Sequence, residues 1–192
     1  EVNTMTSLLT ALVLSVATGF AAADSCADFR SQTTPVLDTF YSTYGLKTYM
    51  SLWCARNSQN LYKELKRSNL LPSPESAFAV YMIRNDFSSS IHPLAARPYS
   101  LPSWSFHVIL VAQGLVLDSD YTKQAVVENF DTYFARMWGP ELDQILFQIR
   151  PASMITEYTN YAIRESIRAN EFIVTDFVGL KTFLNSNFPL CH

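Results

Sequence analysis

The stretch 104–120 constrains the fold more than any other part of the chain, because it reads as two adjacent antiparallel strands. Two runs rich in β-branched and aliphatic residues flank the pair Gln113-Gly114, which has the composition of a tight hairpin turn. His107 opens the first run, and Asp118 closes the second. With the turn at this pair, both side chains are predicted near the open end of the hairpin, where a carboxylate can orient an imidazole.

A nucleophile that completes this pair would have to come from elsewhere in the chain, which has three cysteines. Cys54 stands just before a stretch of helical periodicity that runs to about Arg67. A cysteine at a helix N-terminus has its thiolate stabilised by the helix dipole and by free backbone N–H groups. Cys54, His107 and Asp118 are therefore the candidate nucleophile, general base and orienting carboxylate. Asp120 is the alternative orienter, because it would lie on the same face if the strand continued.

Each of these residues also has an ordinary structural interpretation. A cysteine is commonly buried and inert, and a histidine in a strand is often a hydrogen-bonded core residue. Asp118 could simply finish a turn. The functional interpretation depends on the combination of the three. His92, in a loop, and His192, at the C-terminus, are expected to be surface residues.

The composition predicts one globular domain that binds no nucleic acid. A chain of 192 residues with 48% hydrophobic and 14% aromatic residues can build a sizeable core, and no repeat or linker divides it. The net charge of -3 and the lack of a long Lys/Arg cluster give no basic surface for nucleic acid. We expect no cofactor and no metal ion, and we expect a monomer.

Residues 1–24 are interpreted as an export signal with a short remnant upstream of Met5. An uncharged apolar run over 8–20 is followed by Ala-Ala-Ala-Asp at 21–24, as in signal peptides. The run is too short for a stable membrane span, which needs roughly 20 apolar residues. The alternative is a hydrophobic first helix packed on the domain. The signal interpretation predicts a secreted or periplasmic protein with a single catalytic domain over 25–192.

The remaining two cysteines fit an exported protein. If Cys54 keeps a free thiol, Cys26 and Cys191 are left just after the expected cleavage point and just before the C-terminus. A disulfide between them is permitted in an oxidising compartment and would join the two ends of the mature domain. Because sequence does not determine pairing, this bridge is a hypothesis.

The periodicity of the other segments predicts an α+β domain in which a helix carrying Cys54 packs against an antiparallel sheet carrying His107 and Asp118. Further helices are predicted from Thr34-Pro35 to Tyr44, over 122–138, over 163–169 and over 180–185. Further strands are predicted over 77–83, 145–149 and 172–174, and a long loop over 85–103.

Three motifs carry a resemblance to a known group of enzymes. They are Trp53-Cys54-Ala55-Arg56 before a helix, Trp104-Ser105-Phe106-His107-Val108, and Leu117-Asp118. The chain resembles the bacterial secreted protein-glutaminases, which deamidate glutamine side chains in proteins. Over about residues 50 to 135 it also resembles the amidohydrolases that deamidate an N-terminal glutamine. That second likeness includes 79–83, Ile91, 96–98 and the Cys-to-His and His-to-Asp separations. Both groups belong to the wider papain-like and transglutaminase-like cysteine hydrolases.

The resemblance implies a papain/transglutaminase-like fold with Cys54 as nucleophile, His107 as base and acid, and Asp118 as orienter. It implies that the γ-carboxamide of glutamine is hydrolysed through a thioester, with release of ammonia. The partners would be glutamine-containing proteins or peptides. The alternatives are an N-terminal-glutamine-specific amidohydrolase, a papain-like cysteine peptidase and a non-catalytic secreted binding domain.

The position of the target glutamine is a separate question. An enzyme for N-terminal glutamine must bind the free α-ammonium group, which needs an acidic partner or several carbonyl acceptors. Asp86, in the loop before His107, and Asp120, beyond Asp118, are the acidic residues that could lie near the triad. An exported enzyme meets folded proteins whose exposed internal glutamines far outnumber N-terminal ones. We therefore expect deamidation of protein-bound glutamine side chains.

Overall fold

A computed structural model describes residues 25–40, 54–71, 73–94, 103–118, 126–156, 159–188 and 190–191. Its helices are residues 25–40 (α1), Cys54–Arg67 (α2), Phe130–Met137 (α3), Asn160–Arg168 (α4) and Phe177–Asn187 (α5). Its strands are Ala77–Arg84 (β1), His107–Ala112 (β2), Leu115–Asp118 (β3), Val126–Asn129 (β4), Ile145–Pro151 (β5) and Ile173–Thr175 (β6). The predicted α+β class is confirmed. The predicted signal segment and Asp120 lie outside the described residues.

The six strands form one antiparallel sheet in the order β4-β3-β2-β1-β5-β6. Strands β1, β2 and β3 are buried along almost their whole length. Helices cover both faces of the sheet, so apolar residues run continuously along these strands instead of alternating with polar ones. The predicted strand over 77–83 is confirmed as β1, and the predicted strand over 145–149 as β5.

Two hydrophobic cores lie on opposite faces of this sheet. One contains residues of α1, α2 and α4, including Leu37, Leu65 and Ile167. The other contains residues of α3 and α5, including Phe134 and Leu184. The two faces are called below the α2 face and the α3 face.

The predicted hairpin is confirmed as β2 and β3, with the turn at Gln113-Gly114. Both turn residues have positive φ, 49° and 80°, as the two central residues of a type I′ turn require. Cys191 donates its backbone N–H to the Gly114 carbonyl at 2.9 Å and is joined to Cys26 by a disulfide bond. The proposed bridge is thus confirmed, and it ties α1 and the C-terminal segment to the turn of the hairpin.

Two predicted helix boundaries are wrong. The segment Val126–Asn129, predicted as part of a helix over 122–138, is strand β4, and α3 begins at Phe130. Pairing with β3 determines the conformation of this short β-branched segment more strongly than the helical spacing of its apolar residues. Pro35, predicted as a helix start, lies inside α1. Burial of Phe29 and Leu37 offsets the loss of the proline N–H hydrogen bond.

Among the helices in the residue ranges given above, none is long and apolar enough to cross a membrane.

Candidate active site

His107 and Asp118 are hydrogen-bonded at the open end of the hairpin. They are the first residue of β2 and the last residue of β3. His107 Nε2 lies 2.9 Å from Asp118 Oδ2, and both side chains are 1% exposed. At this burial, water does not compete for the hydrogen bond, so the carboxylate fixes the orientation of the imidazole ring.

Cys54 is the first residue of α2 and reaches the same end of the sheet. Its thiol is free and buried. One helical turn later, the Ser58 hydroxyl donates to the Val108 carbonyl at 3.0 Å, which holds the first turn of α2 against the start of β2. The Cys54 side chain also acts on His107, because it contributes to raising the pKa of the imidazole. Since Nε2 is bonded to Asp118, a proton exchanged with the thiol would be carried by the other ring nitrogen, Nδ1.

The electrostatics of the site are dominated by His107. Burial disfavours the charged imidazolium and by itself lowers the pKa of His107. The negative charge of Asp118 and its hydrogen bond act in the opposite direction, and Cys54 adds a smaller effect of the same sign. Together these outweigh burial and raise the pKa of His107 from 6.5 to about 9. The imidazole is therefore protonated at neutral pH.

Two tryptophans pack around the imidazole ring of His107. The Trp104 ring is 4.4 Å away between centroids and tilted by 30°, and the Trp138 ring is 6.0 Å away. Trp104 is held in place by two backbone hydrogen bonds to Ile91, of 2.8 and 2.9 Å. Trp104 is thus a direct neighbour of His107. Trp53 lies outside the described residues.

Tyr133 is a member of this cluster that the sequence did not indicate. Its hydroxyl donates to Asp118 Oδ2 at 2.7 Å, and its side chain is fully buried. In the sequence, Tyr133 is one of several aromatic residues at helical spacing, which normally indicates core packing. The available signal was the polar hydroxyl, since a buried tyrosine O–H usually has a hydrogen-bond partner. Only the topology identifies that partner as Asp118.

The acidic and histidine residues outside this cluster make other contacts. Asp86 is exposed, and its Oδ1 accepts the backbone N–H groups of Ser88 and Ser89 at 2.8 and 2.9 Å. Hydrogen bonds from Ser89 and Ser88 hold the pKa of the Asp86 carboxyl well below its usual range. His92 is exposed and pairs with Glu141 at 3.4 Å. Asp120 and His192 lie outside the described residues.

The donor groups of the cluster indicate its chemical capability. In the part of the chain that the structure describes, no group of three or more His, Cys, Asp and Glu side chains could hold a metal ion. A thiol at a helix start beside a charged, oriented imidazole can act as a nucleophile with a proton donor next to it. Comparison with known proteins adds no relative, because no family model matches the chain and no curated protein matches it in sequence.

Proposed function

We propose that this protein is a cysteine amidohydrolase that converts glutamine side chains of proteins or peptides to glutamate. Cys54, His107 and Asp118 would form its catalytic triad, in a papain/transglutaminase-like arrangement. The observation that carries the proposal is the buried hydrogen bond between His107 and Asp118 Oδ2, with Cys54 at the start of α2 close enough to raise the pKa of His107. A nucleophile, a proton-transfer group and an orienting carboxylate are the three groups that acyl transfer by a cysteine requires.

The first half of the reaction forms a covalent intermediate. The Cys54 thiolate attacks the γ-carbonyl carbon of glutamine, and the carbonyl oxygen takes the negative charge. As the tetrahedral species collapses, the His107 imidazolium gives its proton to the amide nitrogen, the C–N bond breaks and ammonia leaves. A thioester between Cys54 and the glutamyl side chain remains.

The second half regenerates the thiol. The neutral His107 takes a proton from water, which attacks the thioester carbon, and the C–S bond breaks. Glutamate leaves after its acid proton passes to solvent, His107 keeps the proton taken from water, and the Cys54 sulfur is free for another turnover. Asp118 keeps the ring oriented through both halves, because its bond to Nε2 leaves Nδ1 for the proton transfers.

Two features of the site support this chemistry. Because the pKa of His107 is raised to about 9, the ring carries the proton that ammonia needs at neutral pH. The first N–H groups of an α-helix have no partner inside the helix, so the backbone N–H of Cys54 at the start of α2 is a candidate donor to the oxyanion.

The contacts of Asp86 support an internal rather than N-terminal glutamine as the target. Its side chain is exposed and its Oδ1 accepts two backbone N–H groups of its own turn, so it does not form the buried acidic partner that a substrate α-ammonium group would need. The disulfide between Cys26 and Cys191 supports an exported protein, since such bonds persist in oxidising compartments.

A matched pair of peptides tests the proposal. One carries a free N-terminal glutamine, and the other carries the same glutamine internally behind an acetylated N-terminus. We expect ammonia release and a mass gain of about one dalton in the internal peptide. If only the peptide with the free N-terminal glutamine is modified, the protein is specific for N-terminal rather than internal glutamine. Cleavage of the chain, or no change in either peptide, would contradict amide deamidation.

A further inference from the structure

One oxygen of Asp118 accepts two hydrogen bonds from different elements of the fold. His107 Nε2 lies 2.9 Å from Oδ2, and the Tyr133 hydroxyl donates to the same atom at 2.7 Å. Tyr133 can reach it because β4 pairs with β3 at the Asp118↔Val126 position and α3 follows β4 directly. Asp118 and His107 are 1% exposed and Tyr133 is fully buried, so solvent does not replace either bond.

We propose that Tyr133 is a positioning residue that shares Asp118 Oδ2 with His107 and thereby limits how tightly Asp118 holds the imidazolium proton. Its kinetic consequence rests on the proposed function. The shared hydrogen bond itself does not depend on which reaction the protein catalyses.

The physical effect follows from the direction of the Tyr133 O–H group. Its hydrogen points at the carboxylate and draws electron density from Oδ2, so less is available to the His107 N–H. The positive end of the hydroxyl dipole also lies toward the pair and disfavours a further positive charge on the ring. Tyr133 therefore makes the imidazolium a stronger acid, which favours proton delivery to a leaving group.

Several other groups surround the His107 ring. Cys54 contacts His107 from α2, and the Trp104 and Trp138 rings pack on it. The charged side chains of α3 are engaged elsewhere: Asp131 pairs with Lys181 at 2.7 Å, and Arg136 pairs with Glu128 at 2.9 Å. The Tyr133 hydroxyl is thus the polar contact through which α3 acts on the pair.

Tyr133→Phe removes only the hydroxyl, and an NMR titration of the histidine ring signals measures the result without any substrate. We expect the pKa of His107 to rise by about half a unit or more, because the full acceptor strength of Oδ2 returns to the imidazolium. The matched control is Tyr81→Phe, another fully buried tyrosine, whose hydroxyl donates to the Thr156 carbonyl. This control should leave the pKa of His107 unchanged. The exposed His92 is the reference in every spectrum.

A second variant keeps the shape of the Tyr133 side chain and should shift the pKa of His107 in the opposite direction. Incorporation of 3-fluorotyrosine at position 133 makes the phenol a stronger donor, so the pKa of His107 should fall. A pKa of His107 that is unchanged in both variants, or that moves in the opposite direction, would overturn the proposal even if deamidation is observed.

The kinetic readout separates this proposal from the proposed function. In Tyr133→Phe we expect kcat on the internal-glutamine peptide to fall about three- to tenfold, while KM stays constant because Tyr133 is buried. If the wild-type protein deamidates nothing, the proposed function fails while the titration still decides the role of Tyr133. If kcat falls while the titration shows no shift, Tyr133 is only structural and the proposal is wrong.

Discussion

Two buried polar clusters lie on opposite faces of the same sheet and differ in what they can do. The α3 face holds His107, Asp118 and Tyr133. The α2 face holds Arg150, whose guanidinium donates to Gln148 Oε1 and, at 3.1 Å, to Ser166 Oγ. We call these the histidine cluster and the arginine cluster.

The arginine cluster is as deeply buried as the histidine cluster. Arg150 and Gln148 have no exposed area, and the guanidinium lies over the rings of Tyr81 and Phe172 at 4.2 and 4.5 Å. An arginine keeps its proton in proteins, so it does not act as an acid or base. Its contacts with β5, β1 and α4 hold elements together. Burial of polar groups alone therefore does not identify a reactive site, and the proposed function rests instead on a titrating ring near a thiol.

The largest expected difference between the clusters is in activity. His107→Ala should lower kcat/KM for glutamine hydrolysis by at least about 10³-fold, because thiolate stabilisation and proton donation are both lost. His92→Ala is the matched control, since His92 is an exposed histidine paired with Glu141, and it should keep wild-type activity. Equal activity in the two variants would show that the histidine cluster is structural.

Asp118→Asn should have a smaller effect than loss of the histidine. The amide preserves the size of the side chain but removes the charge that holds the imidazolium, so kcat/KM should fall, but less than in His107→Ala. The variant must be compared at equal folded concentration, which circular dichroism measures. A decrease larger than that in His107→Ala would contradict a role limited to orientation.

Arg150→Met should instead affect stability. Loss of the guanidinium leaves Gln148 Oε1 without its buried donor, so the free energy of unfolding should fall by about 2–4 kcal/mol in urea titrations. Arg168→Met on α4 is the control, because this half-exposed arginine in a surface ion pair should cost less than about 1 kcal/mol. A folded Arg150→Met protein with greatly reduced kcat would remove the distinction between the clusters.

The pH dependence of stability also distinguishes the clusters. The pKa of His107 is raised on folding, so its contribution is complete below the unfolded value of 6.5 and is lost as pH rises through about 9. The free energy of unfolding should therefore fall by up to about 3 kcal/mol across this window. His107→Gln should lack this slope, while Arg150→Met should retain it. If the free energy of unfolding of His107→Gln still falls with pH in this window, the pH dependence belongs to another group.

The hairpin and the three candidate residues could be predicted because their signals are local. The pair Gln113-Gly114 sets the turn, and the turn brings the ends of the two strands together whatever the rest of the fold is. Cys54 could be placed at a helix start from periodicity alone. The disulfide followed as a hypothesis from cysteine positions and expected export.

The remaining features depend on contacts between distant parts of the chain. Val126–Asn129 has helical spacing of apolar residues, and only the unpaired edge of β3 makes it a strand. Tyr133 and Trp138 read as core aromatics until α3 packs beside the open end of the hairpin. The arginine cluster was not predicted either. Gln148 and Arg150 alternate with apolar residues along β5, and this pattern normally indicates polar side chains that face solvent.

The central claim is that Cys54 is the nucleophile of an amide-hydrolysing site. The most direct test measures ammonia release from the internal-glutamine peptide by the wild-type protein and by Cys54→Ala, both with the Cys26–Cys191 disulfide formed. We predict turnover by the wild-type protein and none above background in Cys54→Ala, with melting temperatures that agree closely. Ammonia release at the wild-type rate by folded Cys54→Ala protein would contradict the claim.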